Sequence, residues 1–125
     1  MREEKLKIVS FEQAQKLKEM GFDWMSRFAP SIYYNESGKL SDSPFYPLEE
    51  YYPAPTIALA IKWFRDVKKY ECEIYFIRNL SGRDYRQYNI FSHTDKVWLV
   101  KDSKHFDTYE EAESALLDEL LKVEL

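Results

Sequence analysis

The stretch that decides the fold is Glu71-Cys72-Glu73-Ile74-Tyr75-Phe76-Ile77-Arg78. Cys72, Ile74 and Phe76 alternate with Glu73, Tyr75 and Ile77. A period of two sends successive side chains to opposite faces of a strand. Downstream, Asn79-Leu80-Ser81-Gly82-Arg83-Asp84 is a turn of hairpin type, and Tyr85 to Phe91 reads as a second strand with Tyr88 and Ile90 on one face. Ser92 to Lys96 is a polar turn. Val97-Trp98-Leu99-Val100 is a third strand, apolar throughout and therefore expected to be the more buried one. Asp102-Ser103-Lys104 is a further turn. Strands joined by short turns form an antiparallel meander.

The flanks of this meander have helical spacing. Ile57, Ala60, Ile61, Phe64 and Val67 fall at i, i+3, i+4, i+7 and so on, and Ala58, Leu59 and Trp63 widen that stripe. Ala54-Pro55-Thr56 opens the helix, with Pro55 suited to the first helical position. Lys62, Arg65, Asp66, Lys68 and Lys69 mark its wet edge. On the other side, Thr108-Tyr109-Glu110-Glu111 is a capping box that starts a helix running to about 123. Ala112, Leu116, Leu120 and Val123 are expected inward, with Ala115, Leu117 and Leu121 beside them. Near the N-terminus, residues 6–9 suggest a short strand. Ser10-Phe11-Glu12-Gln13 is another capping box and predicts a helix over about 10–20, closed by Gly21 with Phe22 folding back on the last turn. The order β-α-loop-α-β-β-β-α describes an α+β fold: a three-stranded antiparallel meander with two to three helices packed on it.

Residues 23–53 break the pattern. They hold Pro30, Pro44, Pro47 and Pro53 and eight aromatic side chains, with no sustained period. Asn35-Glu36-Ser37-Gly38 is a turn signal that allows a small hairpin. Irregular stretches of this length inside a domain are uncommon and tend to be functional. Tyrosine offers large contact area at small entropic cost. Trp24, Tyr33, Tyr34, Tyr46, Tyr51 and Tyr52 are thus the candidate binding surface. The structural alternative is that these rings cover the open face of the sheet.

A chain of 125 residues is expected to form a single domain, 1–125. At 45% apolar residues it is too apolar for a disordered chain, and no apolar run is long enough to span a bilayer. Met1-Arg2-Glu3-Glu4-Lys5 is not followed by the apolar stretch of a signal peptide, so a cytoplasmic location is expected, with no membrane partner. The formal charge is −4, which argues against general nucleic-acid binding. The charge is uneven: residues 106–125 carry one basic and seven acidic side chains, the signature of a solvated acidic helix face.

The residues that carry chemistry are sparse. Neither a phosphate-binding loop nor H-E-x-x-H occurs. His93-Thr94-Asp95 and His105-Phe106-Asp107 are two H-x-D pairs, a donor set for a divalent metal if they converge; both fall at predicted turns, and no metal or other cofactor is expected. Cys72, alone, is placed mid-strand, where cysteine behaves as a small hydrophobe, not a nucleophile. Glu49-Glu50 lack the apolar setting of paired catalytic carboxylates. The α-β-β-β-α order of residues 55–123 matches double-stranded-RNA-binding topology, but Tyr109-Glu110-Glu111-Ala112-Glu113 would repel phosphates.

Ser10-Phe11-Glu12-Gln13-Ala14, Ala54-Pro55-Thr56 with Trp63-Phe64-Arg65, and Phe106-Asp107-Thr108-Tyr109-Glu110-Glu111-Ala112 together resemble small uncharacterised proteins of phages and prophages of gut bacteria. The resemblance covers both ends and the middle helix. It implies an accessory role in a mobile element and supplies no catalytic residue. The expected function is therefore non-enzymatic: a domain that binds a protein partner. The alternatives are a homo-oligomeric structural protein and a nucleic-acid-linked one, either a direct binder or an acidic mimic.

Overall fold

A computed structural model describes residues 8–22, 33–41, 52–78 and 82–124. It is an α+β structure, and the chain divides into two compact units, Met1–Ala60 with Leu121–Leu125, and Ile61–Leu120.

The first unit is organised from Ser10. Its hydroxyl accepts from the Gln13 backbone at 3.1 Å, and the Gln13 side chain accepts from the Ser10 backbone at 2.8 Å. This reciprocal cap starts α1, Phe11–Glu19. At the other end Gly21 takes a φ of +91°, a conformation that costs a residue with a Cβ. Phe22 N–H then donates to Leu17 O and Gly21 N–H to Lys18 O, both at 3.1 Å, and Phe22 is buried. That is the Schellman closure expected from Gly21. Of the short strand expected at 6–9, Ile8 forms a bridge with Thr56, and Val9 N–H donates to Pro55 O at 3.0 Å; Leu6 and Lys7 lie outside the described residues.

The aromatic stretch contains a small antiparallel sheet. Strands β1 (Tyr33–Tyr34), β2 (Leu40–Ser41) and β3 (Tyr52–Pro53) are ordered β2-β1-β3. The expected hairpin joins β1 to β2, with Tyr34 opposite Leu40. Asn35 closes it: its side-chain oxygen accepts from Ser37 N–H, Ser37 Oγ and Lys39 N–H at 2.8–3.0 Å. Gly38, at φ +85°, completes the turn.

Helix α2, Ile57–Val67, begins two residues later than expected. Thr56 Oγ1 accepts from Leu59 N–H at 3.1 Å, so Thr56 is the cap and Pro55 stands just outside the helix, where its missing N–H costs nothing. Ile57, Ala60, Ile61, Trp63 and Phe64 are buried. Ala58 and Val67 are exposed, against expectation, because the apolar stripe is narrower than the composition suggests and ends before the last turn.

The second unit carries the meander: β4 (Tyr70–Ile77), β5 (Tyr85–Ser92) and β6 (Val97–Val100), ordered β4-β5-β6. β4 and β5 pair through eight consecutive positions, from Tyr70/Ser92 to Ile77/Tyr85. Tyr88, Ile90 and Ser92 are buried on one face, where Tyr88 Oη donates to Ala115 O of α3 (Tyr109–Glu124) at 3.4 Å. Ala112, Leu116, Leu117 and Leu120 complete that core. The sequence misplaces β6. An apolar run predicts a more buried strand, yet Val97 and Trp98 are half exposed, because β6 lies at the sheet's edge and gains neighbours on one side only. Val123, expected inward, is also exposed, on the last turn of α3. Thr108 Oγ1 accepts from Glu111 N–H at 3.1 Å, but the Glu111 carboxylate reaches back to Asp107 N–H at 3.3 Å instead of to Thr108. The second cap box is thus shifted by one residue. Among the described residues, no helix is long and apolar enough to cross a membrane.

Candidate functional site

The meander has an inner face, under α3, and an outer one. Alternation assigns the outer face. With Tyr88, Ile90 and Ser92 inward, Tyr85, Gln87, Asn89 and Phe91 point outward, and the register adds Glu71, Glu73, Tyr75 and Ile77 from β4 and Trp98 from β6. Its two ends are aromatic and its middle is polar. At one end Phe91 meets Trp98 edge-to-face, with centroids 5.1 Å apart, and His93 packs on Phe91 at 5.2 Å. Lys101 Nζ lies 5.1 Å from the Trp98 ring. Trp98 is 49% exposed, an unusual setting for the largest apolar side chain.

The polar middle is hydrogen-bonded to itself. Tyr75 Oη donates to Asp102 and lies 3.3 Å from the Gln87 side-chain oxygen, and the Gln87 amide nitrogen donates to Ser103 O. Asp102 N–H donates to the Asn89 side chain, and Asn89 donates in turn to Glu73 at 3.4 Å. Burial, aided by the Asp102 carboxylate, pushes the Tyr75 hydroxyl up to about 12, so it remains a neutral donor at physiological pH.

At the far end Tyr85 and His105 stack at 3.7 Å, only 14° from parallel. They line an open cleft of about 500 Å³ with Arg83, Lys104, Phe106, Asp107 and Glu111. Arg83 donates to Asp107 at 2.9 Å, and Lys104 lies 5.6 Å from the Phe106 ring. The charged lining holds two cations and two anions, of which Arg83 and Asp107 are paired. This suits a mixed-charge polypeptide better than a polyanion. The six steps from Tyr85 to Phe91 place the two aromatic ends about 20 Å apart, within the span of one side of a standard protein interface.

The residues singled out from the sequence fare differently. Tyr34 and Tyr52 hold Phe11 between them, edge-to-face at 5.4 and 5.5 Å. Tyr34 Oη donates to Val9 O at 2.7 Å, and Lys18 Nζ lies 4.8 Å from the Tyr52 ring. Both are half-buried and engaged in packing on α1, as is consistent with the burial that raises the Tyr34 pKa. Tyr33 is half-buried on the same strand. Trp24, Tyr46 and Tyr51 lie outside the described residues, as do Glu49 and Glu50.

The two H-x-D pairs do not converge. His93 meets Glu71 at 3.1 Å, Asp95 N–H donates to Ser92 Oγ, His105 stacks on Tyr85, and Asp107 holds Arg83. Among the described residues, no group of three potential ligands is placed to hold a metal. Burial pushes the Cys72 thiol up to about 12, so almost none is thiolate at neutral pH.

Searches of protein-family models, curated proteins and solved structures find no match to this chain. Its own geometry must carry the functional reading. Sequence reasoning missed Trp98 with Phe91, and Tyr85 with His105. The signal was present in the first case: pairing Ser92 with Val97 across the short turn puts Phe91 opposite Trp98. Nothing in the sequence signals that residues twenty apart will stack.

Proposed function

We propose that this chain is a non-enzymatic protein-binding module of a phage or mobile element, and that the outer face of the meander is its contact surface. The observation that carries this reading is the exposure of Trp98 beside Phe91. Tryptophan, tyrosine and arginine dominate binding energy at protein interfaces when they sit among groups that exclude water. Here Trp98 and Tyr85 stand on one sheet surface, separated by a polar network with its hydrogen bonds already made, and Arg83 lines the cleft beside Tyr85. Such a network need not be reorganised when a partner docks. The resemblance of the capping segments to small phage and prophage proteins supports a partner from the host cell or from the element itself.

The test is affinity capture from nuclease-treated host lysate with wild-type protein and the Trp98→Ala variant, followed by titration of the partner. Trp98→Ala should weaken the partner about 30-fold or more, the effect of losing roughly 2 kcal/mol at a hot spot. Its circular dichroism should be unchanged. A partner held equally by both proteins would refute the outer face as the surface. A partner lost on nuclease treatment would favour the nucleic-acid-linked alternative.

A further inference from the structure

The two edges of the meander are built differently, and only one resists pairing. In an antiparallel ladder, opposed residues alternate between pairs that exchange both backbone bonds and pairs that exchange none. His93 N–H donates to Lys69 O at 3.0 Å. In the β4/β5 register this makes Glu71/Phe91, Glu73/Asn89 and Tyr75/Gln87 the bonded pairs. The N–H and C=O groups of Cys72, Ile74 and Phe76 therefore point away from β5. The far side of β5 agrees: Arg86 and Phe106 exchange both bonds at 2.9 Å, and Ser103 N–H donates to Tyr88 O. Among the described residues, no strand pairs with the outward side of β4.

Exposed strand edges are templates for a further strand, and proteins blunt them with bulges, prolines or inward charges. The β6 edge is blunted. It carries a register shift between Ile90 and Phe91, and Asp102 adopts a φ of +57°. The β4 edge runs eight residues in unbroken register, without proline or glycine. Glu71 and Glu73, both exposed, lie two apart on its outer side, and Phe76, half exposed, lies on its inner side.

We infer that the β4 edge receives an extended segment of a partner protein as a fourth, antiparallel strand. This builds on the binding-module reading but rests on a different surface. Charge fixes the occupant. Residues directly across from Glu71 and Glu73 sit close enough for opposite charges to attract and like charges to repel. A second copy laid antiparallel with Cys72 or Glu73 on the two-fold axis sets glutamate against glutamate, and one with Ile74 on the axis sets Glu73 against Tyr75 and leaves both glutamates without a counter-charge. A foreign segment with basic side chains at alternate positions is complementary. With an apolar residue opposite Phe76, the pattern from N- to C-terminus is apolar-x-x-basic-x-basic. Backbone bonds supply affinity and alternate side chains supply selectivity.

The experiment is amide hydrogen exchange by NMR, with and without the acetylated peptide Leu-Thr-Val-Lys-Val-Lys. In the free protein the amides of Cys72, Ile74 and Phe76 should exchange fast while those of Glu71, Glu73 and Tyr75 are protected. Saturating peptide should slow the first set at least tenfold. A peptide N-methylated at alternate backbone positions should leave them fast. The double variant Glu71→Lys/Glu73→Lys should bind the lysine peptide at least tenfold more weakly and prefer its glutamate counterpart. Three results would overturn the inference: outward amides already slow in the free protein, protection that grows with protein concentration alone and so reports a second copy, or peptide shifts confined to the Trp98 end. A partner that depends on Trp98, in a protein whose β4 edge ignores the peptide, would leave the proposed function standing and remove only this inference.

Discussion

The two three-stranded sheets of this protein are held by different means. The sheet β2-β1-β3 has strands of two residues each, too short for a backbone ladder to specify. Side chains specify it instead: Phe11 clasped by Tyr34 and Tyr52, Tyr34 Oη on the Val9 carbonyl, and Asn35 folding the turn from within. The meander is the opposite case. β4 and β5 share an eight-position ladder, and Leu116, Leu117 and Leu120 of α3 lie buried in the same unit. Damage to a ladder is shared by its many bonds, whereas damage to a clasp falls on one ring.

This contrast predicts a graded series. The largest effect belongs to the aliphatic core. Leu117 is fully buried, and Leu117→Ala should destabilise the protein by about 2–5 kcal/mol, read by denaturant titration. Phe11→Ala should cost about 2 kcal/mol, less than a fully buried phenylalanine because Phe11 is half-buried. Its signature is spatial: amides of residues 33–41 should lose protection while those of β4 and β5 keep theirs. Equal loss in both sheets would erase the distinction.

Gly38→Ala strikes the same clasp from the other side. An added Cβ would stand 3.3 Å from the Phe11 ring, on a backbone already at φ +85°. The strained backbone alone costs about 1–2 kcal/mol. The loss should shrink in a Phe11→Ala background, where the steric part disappears, and a double-mutant cycle measures this. Smallest is Glu113 in α3. Burial, then the neighbouring Glu110, raises its carboxyl pKa. The folded state therefore holds the proton more tightly than the unfolded chain does. That contribution is fully present below the unfolded pKa and is lost as pH rises through the folded one. Glu113→Gln should match wild type near pH 3 and exceed it at pH 7 by no more than about 0.5 kcal/mol, since the site is partly solvated. Thermal melts across that range would show it.

What could be read from the sequence was what is local. The Ser10–Gln13 cap, the Gly21 closure and the Asn35–Gly38 turn each depend on a few adjacent residues, and all appear in the structure. The β4/β5 alternation was equally plain. The failures concern neighbours in space. An apolar run places Val97 and Trp98 inside, and helical spacing places Val67 and Val123 there; an edge strand and two final helical turns leave all four outside. The two-residue strands had no period to detect. Tyrosine density in the sequence points to residues 33–52, where Tyr34 and Tyr52 are used for packing, whereas strand register brings the exposed Trp98 against Phe91.

The chain beyond Trp98 has one more consequence. Residues 97–106 run against residues 86–92, with Val97 opposite Ser92, Val100 opposite Ile90, Ser103 bonded to Tyr88 and Phe106 to Arg86. Ten residues are ruled off against seven, like a vernier set on a coarser scale. From Val100 onward every third residue is docked on the β5 backbone, and those between are held through side chains, Asp102 by Asn89 and Tyr75 and His105 by the Tyr85 ring. Contour length along this margin is thereby uncoupled from the length of the sheet. It is the place where the chain can gain or lose a residue while the strands, and the start of α3, keep their positions.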